Sequence, residues 1–119
     1  MSYTLLETLY TSKEAAEWRL STIQYVRRNY ELFKELCAKT LPKLYIYEME
    51  ASYLCLVDFK EYGLAGEELK EAFNKIDVCP ALMGNFFVEK KPRSLVRLNL
   101  ACNKAVIEEL VGRMTKMIQ

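Results

Sequence analysis

Apolar residues recur three or four positions apart along Trp18, Ile23, Val26, Tyr30, Phe33 and Cys37, with Arg27, Arg28, Glu31 and Lys34 between them. That period places one stripe on a helix, so the pattern predicts a long amphipathic helix from Lys13 to about Lys39. Leu41-Pro42 stops it, because proline disfavours α geometry in the residue before it. Upstream, Met1 to Ser12 carry Leu5, Leu6, Leu9 and Tyr10 without a clear cap and read as an arm or a helix tail. The period then switches to two: in Leu44 to Glu48, Leu44 and Ile46 alternate with Tyr45 and Tyr47, which predicts a half-buried strand. Tyr53 to Phe59 is almost continuously apolar, the pattern of a central strand covered on both faces.

Gly63 and Gly66 punctuate a loop, after which Leu69, Ala72, Phe73 and Ile76 return to helical spacing over Glu67 to Lys75. Two acids in the first turn of that helix suit its dipole. A short extended piece, Asp77 to Leu82, precedes an irregular stretch from Met83 to Ser94. Leu95 to Leu100 alternates as a strand, and Asn103 is placed to cap a last helix with the stripe Ile107, Leu110, Val111, Met114 and Ile118. The order is helix, strand, strand, helix, short strand, loop, strand, helix. It predicts an α+β fold: a small, mostly antiparallel sheet with helices packed on one side. Residues 1–12 form the arm, and residues 13–119 form one domain.

Composition narrows the function classes. The 119 residues are 51% apolar and 28% charged, which is ordinary for a globular domain. Seventeen basic residues face sixteen acidic ones, a formal net charge of +1. This balance gives no electrostatic case for nucleic acid or an anionic membrane surface. The longest apolar run, Tyr53 to Val57, is too short to cross a bilayer. No signal-peptide pattern opens the chain, so a cytoplasmic location is expected. Histidine is absent, which removes Ser-His and Cys-His nucleophile pairs and the zinc sites that use histidine. Cys37, Cys55, Cys79 and Cys102 form no CxxC pair, and reduced, buried thiols are expected rather than a metal site.

The chemistry concentrates on one strand. In Leu95-Val96-Arg97-Leu98-Asn99-Leu100, Val96, Leu98 and Leu100 share one face, and Arg97 and Asn99 share the other. A guanidinium flanked by apolar residues needs a partner for its charge, and its fork suits a carboxylate held by two hydrogen bonds. An exposed strand face or an internal Arg–Glu pair explains the pattern as well. Lys90, Lys91 and Arg93 around Pro92 read as a solvated loop. Tyr45 and Tyr47 share a face, whereas Tyr25, Tyr30 and Tyr53 fit core positions on separate elements. Glu48 and Glu50 are close in sequence but have no visible proton-transfer partner. No catalytic constellation emerges.

Three blocks resemble, in order, the C-terminal domain of fold-type I pyridoxal-phosphate (PLP) enzymes of the class I/II aminotransferase superfamily. Within it the match is to the cystathionine β-lyase-like (MalY/PatB-type) C–S lyases. Glu17-Trp18 through Asn29-Tyr30 and onward, "EWRLSTIQYVRRNYELFKE", is similar to the family's helix with its tryptophan, tyrosine and asparagine. Glu50 to Leu64, "EASYLCLVDFKEYGL", is similar to the E-G/A-T/S-Y-L-x-W-x-D-F strand. Leu95 to Met114, "LVRLNLACNKAVIEELVGRM", is similar to the F-x-R-L-N-x-A segment and the helix after it. The sequence departs from the pattern at Leu56-Val57, where many relatives have tryptophan. "CPALMGNFFVEKKPRS" matches the family's P-G-x-x-F-G loop only through the G-x-x-F spacing of Gly84 and Phe87.

The resemblance implies that Arg97 binds the α-carboxylate of an amino-acid substrate and that Asn99 helps orient the guanidinium. It implies PLP as cofactor of the parent enzyme, held mainly by a large domain of the same polypeptide, and a homodimer as the usual assembly. Nothing here is similar to the S-x-S-K segment that carries the family's Schiff-base lysine. The chain is therefore expected to be a domain of a longer polypeptide, with no catalytic residue, cofactor site or metal site of its own. The expected parent activity is C–S β-elimination giving pyruvate, ammonia and a thiol. Amino-group transfer, or a stand-alone carboxylate-binding module, are the alternatives.

Overall fold

The computed structural model describes residues 2–86 and 92–118. Helix α1 covers Ser2–Thr11 and α2 covers Lys13–Thr40. Strands β1 (Tyr45–Ile46) and β2 (Leu54–Asp58) follow, then α3 (Gly66–Lys75), β3 (Ala81–Leu82), β4 (Leu95–Asn99) and α4 (Lys104–Ile118). The four strands form one antiparallel sheet in the order β1-β2-β4-β3, and this is the expected α+β layer. The first residues form a helix that buries none of its side chains. Ser12 separates it from α2, where its hydroxyl accepts from Ala15 N at 3.3 Å as an N-cap. Where a longer first strand was expected, pairing is confined to Tyr45 and Ile46, with one further bond from Tyr47 N to Leu56 O.

Pairing in β2 and β4 sorts every side chain to a face. Cys55 stands opposite Leu98 and Val57 opposite Val96, all four buried. Leu54 opposite Asn99, Leu56 opposite Arg97 and Asp58 opposite Leu95 make the other row, which is half-buried or exposed. Residues directly opposite in an antiparallel pair share a face, so the sheet has one covered face and one open one. Strand β2 is central, but the expectation that both its faces are covered is wrong. Its apolar run supplies Leu54 and Leu56 to the open face instead.

The covered face meets α2, α3 and α4. Tyr30, Phe33 and Cys37 of α2, Leu69 and Phe73 of α3, and Ile107, Val111 and Met114 of α4 form one cluster with Val57, Phe59, Val96 and Leu100. Phe59 and Phe73 meet edge to face with centroids 5.5 Å apart, a geometry favoured by the ring quadrupoles. Asn103 caps α4 as its position predicted, its side-chain oxygen accepting from Val106 N at 3.0 Å. Gly66 is needed where it stands: its φ is +57°, and a Cβ there would lie 3.1 Å from Pro92 Cβ. Its N–H donates to Arg93 O, tying the start of α3 to the approach to β4.

The packing departs from the sequence pattern at three sets of residues. The core of α2 begins at Val26, and Trp18 and Ile23 on the same stripe are 63% and 56% exposed. Of the three tyrosines expected in the core, Tyr30 is buried, but Tyr25 and Tyr53 lie at the surface where their hydroxyls stay near water. Burial of the cysteines holds for Cys37 and Cys55, whereas Cys102 is half-buried and Cys79 is exposed. Among the described residues no group of three or more acids and cysteines is arranged to hold a metal, and no helix is long and apolar enough to cross a membrane.

Burial pushes the Cys37 thiol up to about 12 and the Cys55 thiol up to about 11. An ordinary thiol ionises near 9, so above that pH the unfolded chain loses protons that the folded chain keeps. The stabilising contribution is complete below about pH 9 and is lost as pH rises toward the folded values. Urea unfolding between pH 8 and 10.5 should show Cys37→Ala flattening the loss of stability by up to about 1.4 kcal/mol per pH unit. Alkylation of the native protein should label Cys79 first and leave Cys37 and Cys55 unmodified until the chain unfolds.

Candidate functional site

The open face of the sheet carries one arginine at its centre. Arg97 sits in the middle of β4, between Leu56 of β2 and Ala81 of β3, both directly opposite it. Strand alternation sends Val96 and Leu98 into the core and leaves Arg97 outward, as the sequence predicted. The side chain is half-buried, and its Nε is buried without a hydrogen-bond partner. Among the described residues no carboxylate pairs with it. Among the described residues Phe86, in the 3₁₀ turn Met83–Phe86, lies against it, with Cζ 5.2 Å from the ring centroid. The internal Arg–Glu pair that would explain an arginine in this position is not formed among the described residues.

Asn99 shares the open face, but its side-chain oxygen accepts from Ala101 N at 2.8 Å, turning the chain out of the strand. The side chain that fixes this exit from the other side is Asn29. It is 5% exposed and is the buried polar side chain of the described core. Its Nδ2 donates to Leu100 O at 2.8 Å and to Cys102 O at 2.7 Å, and Tyr25 Oη donates to Cys102 O at 2.8 Å. Helix α2 thus clamps the β4–α4 junction three residues beyond Arg97. Asn29 interrupts the apolar stripe between Val26 and Phe33, which is the one sequence sign of this role. Phe86 had no such sign, because it lies in a segment without period.

The remaining sequence candidates are not brought to Arg97. Glu48 and Glu50 line a groove of about 470 Å³ between α2 and the β1–β2 connection, together with Lys34, Tyr30 and Tyr53. There Lys34 pairs with Glu31 at 2.9 Å and lies over the Tyr30 ring. Tyr45 and Tyr47 meet edge to face at 4.8 Å, also away from the arginine. Of the basic cluster, Arg93 is half-buried and partnered, and Lys90 and Lys91 lie outside the described residues. So does Phe87, which completes the G-x-x-F spacing from Gly84.

In sequence and structure the chain resembles a segment of the PLP-dependent aminotransferases and C–S lyases of fold type I. It is 26% identical over 116 residues, 92% of its length, to cystathionine β-lyase PatB of Bacillus subtilis (strain 168). A PLP-bound protein of Clostridium difficile 630, classed with the aminotransferases, superposes with a TM-score of 0.81 and 26% identity over 94% of the chain. A PLP-bound C–S lyase from Staphylococcus hominis has the same fold, with a TM-score of 0.76 and 20% identity over 98% of the chain. No family model matches. The chain spans 28% of the length of the B. subtilis and C. difficile proteins and 33% of the S. hominis one.

The described lysines do not suit a covalent anchor for PLP. Apart from half-buried Lys34, all are exposed. The hydrogen bond that Lys34 donates to Glu31 holds its amine above the ordinary value. An amine that forms an imine needs the opposite shift, toward the neutral form. What the described residues offer is a charge that can bind and orient an acid.

The clamp at the end of β4 can be weighed by substitution. Asn29→Ala leaves Leu100 O without its side-chain donor and Cys102 O with Tyr25 Oη alone, and should lower stability to urea by about 1–3 kcal/mol. Tyr25→Phe removes one exposed bond and should cost about 1 kcal/mol or less.

Proposed function

We propose that this chain is the small C-terminal domain of a PLP-dependent C–S lyase, and that Arg97 holds the α-carboxylate of its amino-acid substrate. The observation that carries the reading is the uncompensated guanidinium on the open face. A half-buried cation that no acid pairs among the described residues is costly unless a ligand or partner completes it. A carboxylate accepts from two guanidinium nitrogens at once, which fixes orientation as well as position. PLP, bound elsewhere in such a polypeptide, supplies an electron sink for the bond cleaved at Cα. The part of Arg97 is to bind: holding the carboxylate gives the Cα–H bond one direction, which replaces the orientational search of a free substrate.

The likeness to the B. subtilis cystathionine β-lyase and the S. hominis C–S lyase supports β-elimination. The likeness to the C. difficile protein supports amino-group transfer as the second reading, since the same carboxylate contact serves both reactions. The exposed apolar residues Tyr3, Leu5, Leu6, Tyr10, Trp18, Leu20 and Ile23 on α1 and the first half of α2 support a covering partner. In this reading that partner is the large domain of the same polypeptide, within a homodimer. Asn99, on the face of Arg97, lies close enough along the strand to contact the same ligand.

In the full-length enzyme, Arg97→Ala should raise KM for the amino-acid substrate about 10- to 100-fold, the loss of about 1.5–3 kcal/mol of charge-assisted hydrogen bonding. An unchanged KM would remove the clamp. Pyruvate release from cystathionine without a 2-oxo acid is expected of the lyase, and dependence on such an acceptor would identify the aminotransferase instead.

A further inference from the structure

A guanidinium with no acid beside it still needs something to hold its direction, or its fork samples many orientations at an entropic cost when a ligand binds. On the open face the neighbours of Arg97 are Leu56 and Ala81 across the strands and Phe86 against the guanidinium. An aromatic ring is suited to this task. It attracts the cation through its face and uses none of the N–H donors, which lie in the guanidinium plane. A carboxylate in the same place would take up the donors that a ligand needs. Phe86 is 60% exposed and contributes no buried surface to the core, so packing alone gives no account of a phenylalanine there.

The accessible atoms narrow the geometry further. Nε is buried without a partner, and no hydrogen bond engages the guanidinium among the described residues. The edge of the guanidinium formed by Nε and one Nη is therefore closed to a ligand, which leaves the outer edge formed by the two Nη atoms as the one to bind through. We infer that Phe86 is a positioning residue for Arg97, holding the guanidinium so that a carboxylate is taken end-on by Nη1 and Nη2. This rests on the carboxylate reading of Arg97 and adds to it the residue that orients the fork and the edge that binds.

The test is a titration of the 119-residue chain, labelled with ¹⁵N-arginine, with sodium acetate at constant ionic strength set by sodium chloride. In the wild type the Arg97 Nη resonances should move with acetate, while the Nε–H stays in place and protected from exchange. Phe86→Leu should remove the ring-current shift of the guanidinium and weaken acetate binding about 2- to 5-fold. Phe86→Trp should retain both, which a merely structural role at an exposed turn would not require. Unchanged shifts and affinity in Phe86→Leu, with binding lost in Arg97→Lys, would overturn the role of Phe86 and leave the carboxylate reading standing. An Nε–H that moves as far as the Nη groups would overturn end-on binding. Wild-type binding retained in Arg97→Lys, or no response of Arg97 to acetate in the wild type, would overturn the carboxylate reading and the inference with it.

Discussion

One-sided packing is the constraint from which the rest of this structure follows. Helices α2, α3 and α4 all lie against the same face of a four-stranded antiparallel sheet. Alternation along each strand then permits one buried row and one open row. The buried row is Cys55, Val57, Val96 and Leu98, and the open row holds Leu54, Leu56, Asp58, Leu95, Arg97 and Asn99. A shift of β4 by one residue would place a guanidinium in the core among Val57, Phe59 and Phe73, and would expose Val96 and Leu98. The register that builds the core is thus the same register that presents Arg97, and fold and site are specified together.

The ends of β4 are held by polar groups rather than by apolar contact. On one side Phe59 N donates to Ser94 O and Gly66 N to Arg93 O. On the other, Asn29 and Tyr25 of α2 collect the carbonyls of Leu100 and Cys102. A buried asparagine is tolerated there because both its donors are used, and an apolar residue of similar size would leave Leu100 O without that donor. Helix α2 therefore does two things: its apolar stripe covers the sheet, and the polar break in that stripe fixes the strand that carries Arg97.

Much of this was legible in the chain. The period of 3.6 gave α2, α3 and α4 within a residue or two, Asn103 announced the cap of α4, and the period of two put Arg97 and Asn99 opposite Val96 and Leu98. The covering of β2 was not legible, because a run of apolar residues looks the same whether one face or both are buried. Leu54 and Leu56 are apolar and still half-exposed. Tyr25, Tyr53, Trp18 and Ile23 continue apolar spacings past the point where the layer beneath them ends, and sequence spacing carries no information about that edge. The partners of Arg97 were hidden for a related reason. Phe86 reaches the guanidinium from a segment without period, and the lack of a paired acid among the described residues is a property of three dimensions.

In the proposed reading this segment binds rather than transforms. An arginine suited to a carboxylate is present, and the described lysines are exposed or paired with acids, without the desolvation that makes an amine nucleophilic. The central claim is that these 119 residues hold a substrate whose chemistry depends on a lysine elsewhere in the same polypeptide. It is tested most directly by the intact mass of the polypeptide as its source cell makes it, after borohydride reduction in the presence of PLP. A chain several times longer, with a reduced phosphopyridoxyl group on a lysine outside this segment, is the predicted result. A native chain of this length that carries no adduct would contradict the account.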